Sequence, residues 1–188
     1  MSRWIFLRHG ESVANAEGWL AGHRDAALTD KGARQARSVR KPIAATRPAR
    51  AFCSDLIRAQ KTAEIALDGL GIHLIVAPAL RERSLGDWEG ADKAALRSSG
   101  DLQIALTVAG RPPGGESLGD VARRATAFLN SIDDGSGPTL IVAHGGLIRV
   151  VLGLLDGMPR PQIGTWNIAN AEILIRDVEL GGWGILQP

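Results

Sequence analysis

The sequence is poor in several residue types, and each shortage argues against a class of protein. It has one cysteine, Cys53, so no intramolecular disulfide framework can form. Its net charge of +2 is too small to indicate a nucleic-acid partner. Tyrosine is absent, and the five tryptophans are interpreted as walls of the core and of a pocket rather than as a platform for stacking bases.

Long apolar runs are also missing. The run Trp4–Leu7 ends at Arg8, which does not fit the apolar region of a secretory signal. The longest apolar candidate, Thr139–Leu155, contains His144 and Arg149 and is too short and too polar to span a bilayer. We therefore expect no membrane partner and, on the absence of a signal alone, a cytoplasmic protein.

Short β-rich runs alternate with helical patterns along the chain. The predicted strands are Trp4–Leu7, Arg50–Cys53, His73–Val76, Thr139–Ala143 and Ala171–Ile175. The predicted helices are Asp30–Ala45, Asp55–Leu67, Leu118–Ile132 and Gly146–Leu155. This order predicts an α/β fold with a mostly parallel central sheet covered on both faces, and the length fits a single domain over residues 1–188.

Three predicted helices have candidate N-caps. Thr29 and Ser54 each precede a helical pattern, and Ser117 with Asp120 predicts a capping box. The basic residues of Asp30–Ala45 recur at helical spacing, so we interpret them as the solvated face of an amphipathic helix.

Polar residues follow three of the predicted strands at the points where the strands end. Arg8–Gly10 follows the first, Ser54–Asp55 the second and His144–Gly146 the fourth. Because ligands of parallel α/β sheets bind outside the carboxyl ends of the strands, these segments are expected to converge on one crevice. Glycine after each histidine lets the backbone approach a ligand, and helices that begin there direct N–H groups at an anion.

The residue types at these strand ends favour phosphate chemistry. Arg8, and Arg58 one turn into the predicted helix that follows Ser54, would match phosphate oxygens and stay charged. A neutral imidazole from His9 or His144 is a competent nucleophile at phosphorus. Two arginines and a second histidine would supply the charge needed in phosphoryl transfer without a metal.

Two other chemistries fit less well. Cysteine phosphatases resemble one another in a Cys-x5-Arg motif with a glycine-rich loop. Here only four residues, none of them glycine, separate Cys53 from Arg58, so Cys53 is interpreted as a core residue. A metallohydrolase built on His9 and His144 would lack a His-Glu-x-x-His motif. The sequence therefore predicts no metal and no cofactor.

Several segments together resemble the histidine phosphatase superfamily, in its phosphoglycerate-mutase-like branch. They read LRHGESVAN, SDLIRAQKTAE, LRERSLGDWEG, GGES and VAHGGLIRVVL, and they run from about Ile5 to Leu152 in the family's order. The segment LTDKGARQA fits the first helix of the family. The resemblance implies a three-layer α/β/α sandwich as the fold. It also implies an enzyme that acts on a small-molecule phosphomonoester through a phosphohistidine intermediate.

The resemblance also assigns roles to individual residues. It makes His9 the nucleophile, and it places Arg8, Arg58 and His144 in the phosphate pocket. Glu82 matches the acid that protonates the leaving group.

Three further residues are expected to contact the substrate. Asn15 matches a phosphate contact, Gly22 lies where the family often places a substrate-facing backbone, and Gly145 follows the second histidine. Among the other carboxylates, Glu89 competes with Glu82 for the acid role, and Glu116 is interpreted as structural.

Three functions fit this pattern. A phosphatase is favoured because the span from Glu82 to Gly114 is short and contains Gly-x-Trp-Glu-Gly, which resembles the phosphatase branch of the family and not the mutase branch, with its longer insertion after the acid. A phosphoglycerate-mutase-type phosphoryl transfer is the alternative, and a non-catalytic phosphate-binding module on the same fold is a third. Sugar phosphates, phosphoglycolate-like acids, nucleotide monophosphates and α-ribazole phosphate all fit as substrates, and the sequence carries no signal for an oligomeric state.

Overall fold

A five-stranded sheet organises the protein, with its strands in the order β3-β2-β4-β1-β5. The structure is a computed structural model that describes residues 1–105 and 107–183. The strands are β1 (Ser2–Arg8), β2 (Arg50–Cys53), β3 (Leu74–Val76), β4 (Thr139–Ala143) and β5 (Ile173–Val178). The pairs β1–β4, β2–β4 and β2–β3 are parallel and β5 is antiparallel to β1, which confirms the prediction of a mostly parallel sheet.

Helices connect the strands and cover the sheet. They are α1 (Val13–Glu17), α2 (Asp30–Ser38), α3 (Arg40–Thr46), α4 (Ile57–Leu67), α5 (Lys93–Ser98), α6 (Asp101–Ala105), α7 (Leu118–Ile132), α8 (Gly145–Leu155) and α9 (Arg160–Ile163). Short 3₁₀ turns occupy Pro78–Leu80 and Gly86–Trp88. Within the described ranges, no helix has the length and apolar character needed to cross a membrane.

The sheet has an apolar core on each face. Along β1, Trp4 and Phe6 contribute to one core and Ile5 and Leu7 to the other, as the two-residue period of a strand requires. Helices α7 and α8 pack on the first face, and α2, α3 and α4 pack together beneath the second. The three-layer α/β/α sandwich is therefore confirmed.

The strand register aligns the carboxyl ends of β1, β2 and β4. Val142 of β4 pairs with Leu7 of β1 on one side and with Cys53 of β2 on the other. The next residues along these strands therefore leave the sheet at one edge, and His9 and His144 emerge beside each other. This alignment is the convergence that the strand-end pattern predicted.

The prediction of one helix over Asp30–Ala45 is wrong, because the segment forms two helices. Helix α2 ends at Ser38 and α3 begins at Arg40. Pro42 has no N–H for the carbonyl of Ser38, and its ring would clash with that carbonyl in a continuous helix. Ile43 of α3 is nevertheless fully buried in the second core.

Ser54 does not cap the second predicted helix. Its hydroxyl accepts a hydrogen bond from the N–H of Leu56 (3.2 Å), and the helix begins at Ile57. The N–H of Ile57 donates instead to the carboxylate of Asp25, at 2.9 Å. A carboxylate from a distant loop replaces the local cap, which the local sequence pattern cannot reveal.

The last strand begins later than predicted. The apolar run Ala171–Ile175 suggested a strand start at Ala171, but this residue has a left-handed backbone (φ 58°) and lies in a turn before β5. Its N–H donates to the carbonyl oxygens of Arg8 (3.1 Å) and His9 (3.2 Å). The turn therefore holds the end of β1 where the two histidines meet.

The other two predicted caps are present. Thr29 accepts a hydrogen bond from the N–H of Gly32 (3.0 Å). Ser117 accepts one from the N–H of Asp120 (3.1 Å), and the carboxylate of Asp120 accepts the N–H of Ser117 (2.8 Å). These reciprocal bonds fix the entry of the chain into α7.

Replacing Ser117 by alanine is expected to lower the free energy of unfolding by about 1 kcal/mol, because the N–H of Asp120 loses its acceptor and the carboxylate of Asp120 loses the hydroxyl that donates to it. Urea denaturation followed by circular dichroism measures this change. The control is Ser131→Ala, whose hydroxyl bonds only within the exposed face of the same helix. Equal losses in both variants would contradict a capping role.

Candidate functional site

His9 and His144 lie side by side at the carboxyl edge of the sheet. Their ring centroids are 5.1 Å apart and the rings are tilted by 60°. His9 is 4% exposed and His144 is fully buried. The two histidines that the sequence singled out are therefore brought together.

The ring of His9 is held in one orientation. Its Nδ1 lies 2.7 Å from the carbonyl oxygen of Gly10, which can only accept, so Nδ1 carries the proton and Nε2 keeps its lone pair. Burial lowers the pKa of His9 well below its usual range, and the charges of Arg58 and Arg8 lower it further. His9 is therefore a neutral imidazole with Nε2 available for attack.

The backbone after His9 is fixed by a close approach. A Cβ at Gly10 would collide with the carbonyl group of Gly32 in α2, so the absence of a side chain is required here. The N–H of Gly10 donates to the hydroxyl of Thr62 in α4, at 3.0 Å. Helices α2 and α4 thus hold the carbonyl that orients the ring of His9.

His144 has unsatisfied hydrogen-bonding capacity. Neither of its ring nitrogens has a hydrogen-bond partner among the described residues, although both are buried. Burial lowers the pKa of His144 well below its usual range, with further lowering by Arg58, His9, Arg8 and Arg124. A buried polar group without a partner costs about 1–3 kcal/mol, so this ring is suited to receive a polar ligand.

Arg58 is buried beside the histidines and is preorganised by backbone carbonyls. It is 2% exposed, its Nη2 donates to the oxygen of Gly22 (2.7 Å) and its Nη1 donates to that of Arg24 (3.1 Å). Burial lowers the pKa of Arg58, whereas the carboxylates of Glu82, Asp25 and Glu89 act in the opposite direction. A guanidinium nevertheless stays charged in a protein.

Arg8 and Gly145 fit against each other. Arg8 donates through Nη1 to the carbonyl oxygen of Ile168, and its Nε is buried without a partner in the described chain. A Cβ on Gly145 would lie only 3.2 Å from this Nε. Gly145 therefore leaves room for the guanidinium close to the N-terminus of α8.

Glu82 is held against the first turn of α8. Its Oε2 accepts the N–H of Gly146 (3.0 Å), and its Oε1 accepts the N–H of Arg83 (2.8 Å). Its own carbonyl oxygen accepts hydrogen bonds from His23 Nε2 (2.8 Å) and Arg124 Nη2 (2.8 Å). His23 lies in a turn and is half-buried, and its ring thus helps to hold the backbone that carries Glu82.

Glu89, the competing carboxylate, is committed to the backbone. Its carboxylate accepts N–H groups from His23 (2.9 Å), Arg24 (3.0 Å) and Leu85 (3.1 Å). It thereby fixes the loop whose carbonyls hold Arg58.

Glu116 is also committed to structural contacts. Its carboxylate accepts hydrogen bonds from Arg124 Nε (2.9 Å) and from the N–H of Ser84 (2.9 Å). Burial alone would raise the pKa of Glu116, but these bonds outweigh it and the pKa is lowered. This carboxylate therefore stays ionised, which suits the structural interpretation and not the role of a proton donor.

Asn15 lies near His9 but outside the cavity described next. Its Oδ1 accepts the N–H (3.2 Å) and hydroxyl (3.1 Å) of Ser12 in the capping box of α1. Asn170 donates both to this Oδ1 (3.2 Å) and to the carbonyl oxygen of His9 (3.1 Å). Asn170 comes from the turn before β5, and no local sequence signal identified it.

A cavity of about 440 Å³ adjoins these residues. Arg8, Glu82, Gly22, Gly145 and Gly146 line it. Arg8 precedes His9, Gly145 follows His144, and the carbonyl oxygen of Gly22 accepts a hydrogen bond from Arg58. The cavity therefore extends to residues next to His9, His144 and Arg58. Its other walls are Trp19, Leu20, Ala21, Arg83, Leu85, Lys93, Arg97, Leu102, Leu118, Arg149, Gly164, Thr165 and Asn167. The sequence interpretation did not assign Arg149 to the site, although its spacing from Gly146 places both on one face of α8.

Two side observations concern the alternative chemistries. Burial raises the pKa of the Cys53 thiol to about 12, and Glu64 and Asp55 raise it as well, so Cys53 is a core residue and not a nucleophile. Over residues 1–105 and 107–183, no group of at least three His, Cys, Asp or Glu side chains is arranged to hold a metal ion.

Comparison with known proteins gives the same family as the motifs. The histidine phosphatase superfamily (branch 1) matches residues 4–187. The chain is 35% identical over 175 residues to a 2,3-bisphosphoglycerate-dependent phosphoglycerate mutase of Methylobacterium radiotolerans. The aligned region covers 85% of this chain and 81% of that protein.

Solved structures of phosphatases superpose on most of the chain. A mycobacterial glucosyl-3-phosphoglycerate phosphatase gives a TM-score of 0.86 at 29% identity, covering 93% of this chain and 92% of that one. The α-ribazole phosphatase of Shigella flexneri gives 0.82 at 26% identity, covering 95% and 92%. Since the family match spans nearly the whole sequence and the fold agrees, the chain belongs to the histidine phosphatase superfamily.

Proposed function

We propose that the protein is a phosphomonoester hydrolase that works through a phosphohistidine on His9. The observation that carries the proposal is the state of this ring. It is neutral, its Nδ1 proton is bound to a carbonyl, its ring lies beside the unsatisfied ring of His144, and the charges of Arg58 and Arg8 act on it. Such a ring attacks phosphorus without first losing a proton.

In the first half of the reaction, the lone pair of His9 Nε2 forms a bond to phosphorus and the bond from phosphorus to the ester oxygen breaks. The departing oxygen takes a proton from Glu82. In the second half, Glu82 takes a proton from water, the water oxygen attacks phosphorus, and the P–N bond breaks to restore His9 and release phosphate.

Positive charge around the phosphoryl group supplies much of the catalysis. Arg8 and Arg58 face its oxygens, and His144 donates a hydrogen bond to it. Because Arg58 is already held by Gly22 and Arg24, little reorganisation is needed when negative charge shifts onto these oxygens. Removing one such group typically costs about 3 kcal/mol, or roughly a hundredfold in rate.

The acid role of Glu82 is supported by comparing three carboxylates. Glu82 lines the cavity, where its Oε2 accepts the N–H of Gly146 at the start of α8 and its Oε1 accepts the N–H of Arg83. Glu89 bonds three backbone N–H groups of a supporting loop, and Glu116 is paired with Arg124. Of these three carboxylates, only Glu82 lines the cavity that would hold the substrate, which favours it as the proton donor.

Phosphoglycerate-mutase-type phosphoryl transfer is the second candidate, and the mutases among the sequence relatives favour it. Hydrolysis is preferred on two observations. The structures that superpose on the chain include phosphatases, and a cavity of about 440 Å³ leaves room for water beside a small substrate, since one water takes about 30 Å³.

We also propose that the chain works as one domain, in the cytoplasm, on a small phosphorylated metabolite.

Turnover on a panel of phosphomonoesters separates the two candidates. Each ester is assayed for release of inorganic phosphate, and 3-phosphoglycerate is assayed in parallel for isomerisation with and without a bisphosphate primer. A hydrolase releases phosphate from several esters and isomerises slowly. Isomerisation faster than phosphate release would make the protein a mutase.

A covalent phosphoenzyme is expected on His9. Rapid quenching with a ³²P-labelled substrate should trap label that survives alkali and is lost in acid, as expected for a phosphorus–nitrogen bond. The variant His9→Ala should trap none, whereas the control His73→Ala, which changes an exposed histidine just before β3, should trap the wild-type amount. Label that resists acid but not alkali would point to an acyl phosphate instead.

Glu82→Gln should slow hydrolysis of alkyl phosphates by roughly 10²–10⁴-fold, because glutamine cannot protonate the leaving oxygen. The loss should be much smaller on p-nitrophenyl phosphate, whose leaving group needs little protonation. The amide oxygen of glutamine can accept the N–H of Gly146, whereas its NH2 group cannot accept the N–H of Arg83, so circular dichroism of the variant is compared with that of the wild type. Asp87→Asn, at an exposed position, serves as control. The same loss on both substrates would remove Glu82 from the acid role.

Glu89→Gln should produce a different pattern. Loosening the loop of Gly22 and Arg24 displaces Arg58, so alkyl and p-nitrophenyl phosphates should lose rate alike, by about tenfold if one charged hydrogen bond is lost. Affinity for vanadate should weaken in parallel. Glu64→Gln, on the exposed side of α4, is the matched control. A loss confined to alkyl phosphates would instead mean that Glu89 donates the proton.

A further inference from the structure

One residue behind the cavity contacts both the phosphate-binding side and the acid side of the site. His23 lies in a turn with Gly22, and it is not among the described residues that line the cavity. Its backbone N–H donates to Oε1 of Glu89 (2.9 Å), and its ring Nε2 bonds the carbonyl oxygen of Glu82 (2.8 Å). His23 therefore joins the loop that holds Arg58 to the segment that carries the proposed acid.

The contact with Glu82 determines where the ring of His23 carries a proton. A carbonyl oxygen can only accept a hydrogen bond, so Nε2 is protonated and donates. The carboxylate of Glu116 lies 3.9 Å from this nitrogen, which is beyond hydrogen-bond distance, and it already accepts hydrogen bonds from Arg124 and the N–H of Ser84. The ring is thus held by the carbonyl oxygen of Glu82 and not by a close ion pair.

The carbonyl oxygen of Glu82 accepts hydrogen bonds from two separate parts of the fold. Arg124 donates to it from α7 through Nη2 (2.8 Å), and His23 donates to it from the turn on the other side. A carbonyl oxygen has two lone pairs, and both are used here. One bond alone would restrain the distance to a single neighbour, whereas the two together also fix the direction of the Glu82 backbone.

The carboxylate of Glu82 fits closely against α8. Its Oε2 accepts the N–H of Gly146 (3.0 Å), and a Cβ at Gly146 would collide with this carboxylate. A displacement of the Glu82 backbone would therefore lengthen this bond or press the carboxylate against the helix. A general acid must come within about 2.6–3.2 Å of the atom that it protonates, so proton transfer depends on where the backbone of Glu82 is held.

We propose that His23 is a positioning residue for proton transfer from Glu82 to the leaving oxygen. This inference rests on the proposed function, since Glu82 is taken to be the acid. His23 acts through the carbonyl oxygen of Glu82 and contacts neither the phosphoryl group nor the leaving oxygen. The role requires one hydrogen-bond donor at the position of Nε2, and it requires no charge on the ring.

Two substitutions separate this donor from the rest of the ring. In His23→Gln the side-chain amide nitrogen takes the place of Nε2 and can donate to Glu82, whereas in His23→Asn the shorter side chain reaches only the place of Nδ1. Both variants are uncharged, and both keep the backbone N–H that donates to Glu89. His73→Asn, which changes an exposed histidine, is the matched control.

His23→Asn should lower kcat on an alkyl phosphate by about tenfold, the upper effect of one lost neutral hydrogen bond. The loss should be much smaller on p-nitrophenyl phosphate, whose leaving group needs little protonation. Vanadate should bind with wild-type affinity, because Arg58 stays in place. His23→Gln should recover most of the lost rate, and His73→Asn should match the wild type. An equal loss on both esters, or no recovery in His23→Gln, would overturn the inference.

A double variant tests whether His23 acts through Glu82. When Glu82→Gln is already present, no proton is donated from this position, so adding His23→Asn should cost little further rate on the alkyl phosphate. A residue that only stabilises its own turn would cost the same factor in both backgrounds. Multiplicative losses in the double variant would therefore contradict a positioning role.

A measurement without turnover separates this inference from the proposed function. The ¹⁵N–¹H signal of Gly146 in an NMR spectrum reports its bond to Glu82. This signal should shift in His23→Asn and stay near its wild-type position in His23→Gln. If the wild type hydrolyses no phosphomonoester, the proposed function is wrong, and an unshifted signal in His23→Asn would show that His23 does not position Glu82 either. If esters are hydrolysed and His23→Asn keeps the wild-type rate on all of them, the inference is wrong and the hydrolase proposal stands.

Discussion

The parallel pairing of β1 with β4 is the interaction on which the site depends. Arg8 pairs with Ala143, so the next residue of each strand, His9 and His144, leaves the sheet at the same level. A slip of one residue would turn each side chain to the opposite face and separate the rings. The pairing is buried between two apolar cores, so the position of both histidines is set by the buried centre of the sheet.

Around this pairing, the charged groups of the site are held chiefly by backbone. The carbonyls of Gly22 and Arg24 hold Arg58, and Glu89 in turn holds the loop that carries them. The first turn of α8 holds Glu82. Backbone groups supply fixed dipoles and do not change charge with pH. The arrangement therefore keeps arginine and carboxylate side chains close together without pairing them directly, and their capacity is left for a ligand.

The parts that could be predicted from the sequence are those encoded locally. Apolar runs that end in Arg8–Gly10 and His144–Gly146 indicated the strands, the edge where they meet and the residues gathered there. The capping box at Ser117 was readable for the same reason. Pro42 also carries a local signal, and the division of the predicted first helix could have been anticipated from it.

The parts that could not be predicted rest on contacts between distant segments. The cap of α4 comes from Asp25, the anchor of the Arg58 loop from Glu89, and the neighbour of His9 from Asn170. Each is a hydrogen bond whose partner is known only once the chain is folded. The cavity wall also depends on contacts between distant segments. Helices α5 and α8 are far apart in the sequence, and neither pattern alone indicates that they line the same cavity.

The unsatisfied ring of His144 links stability to ligand occupancy. Its nitrogens are buried and have no partner in the described chain, so a polar ligand that reaches them can form bonds that no protein group makes. Such bonds contribute to the affinity of the ligand, and through it to the stability of the folded protein. In such a site, selection for stability and selection for substrate binding act in opposite directions. A sequence that satisfied the ring internally would fold more firmly, and it would also compete with its own substrate.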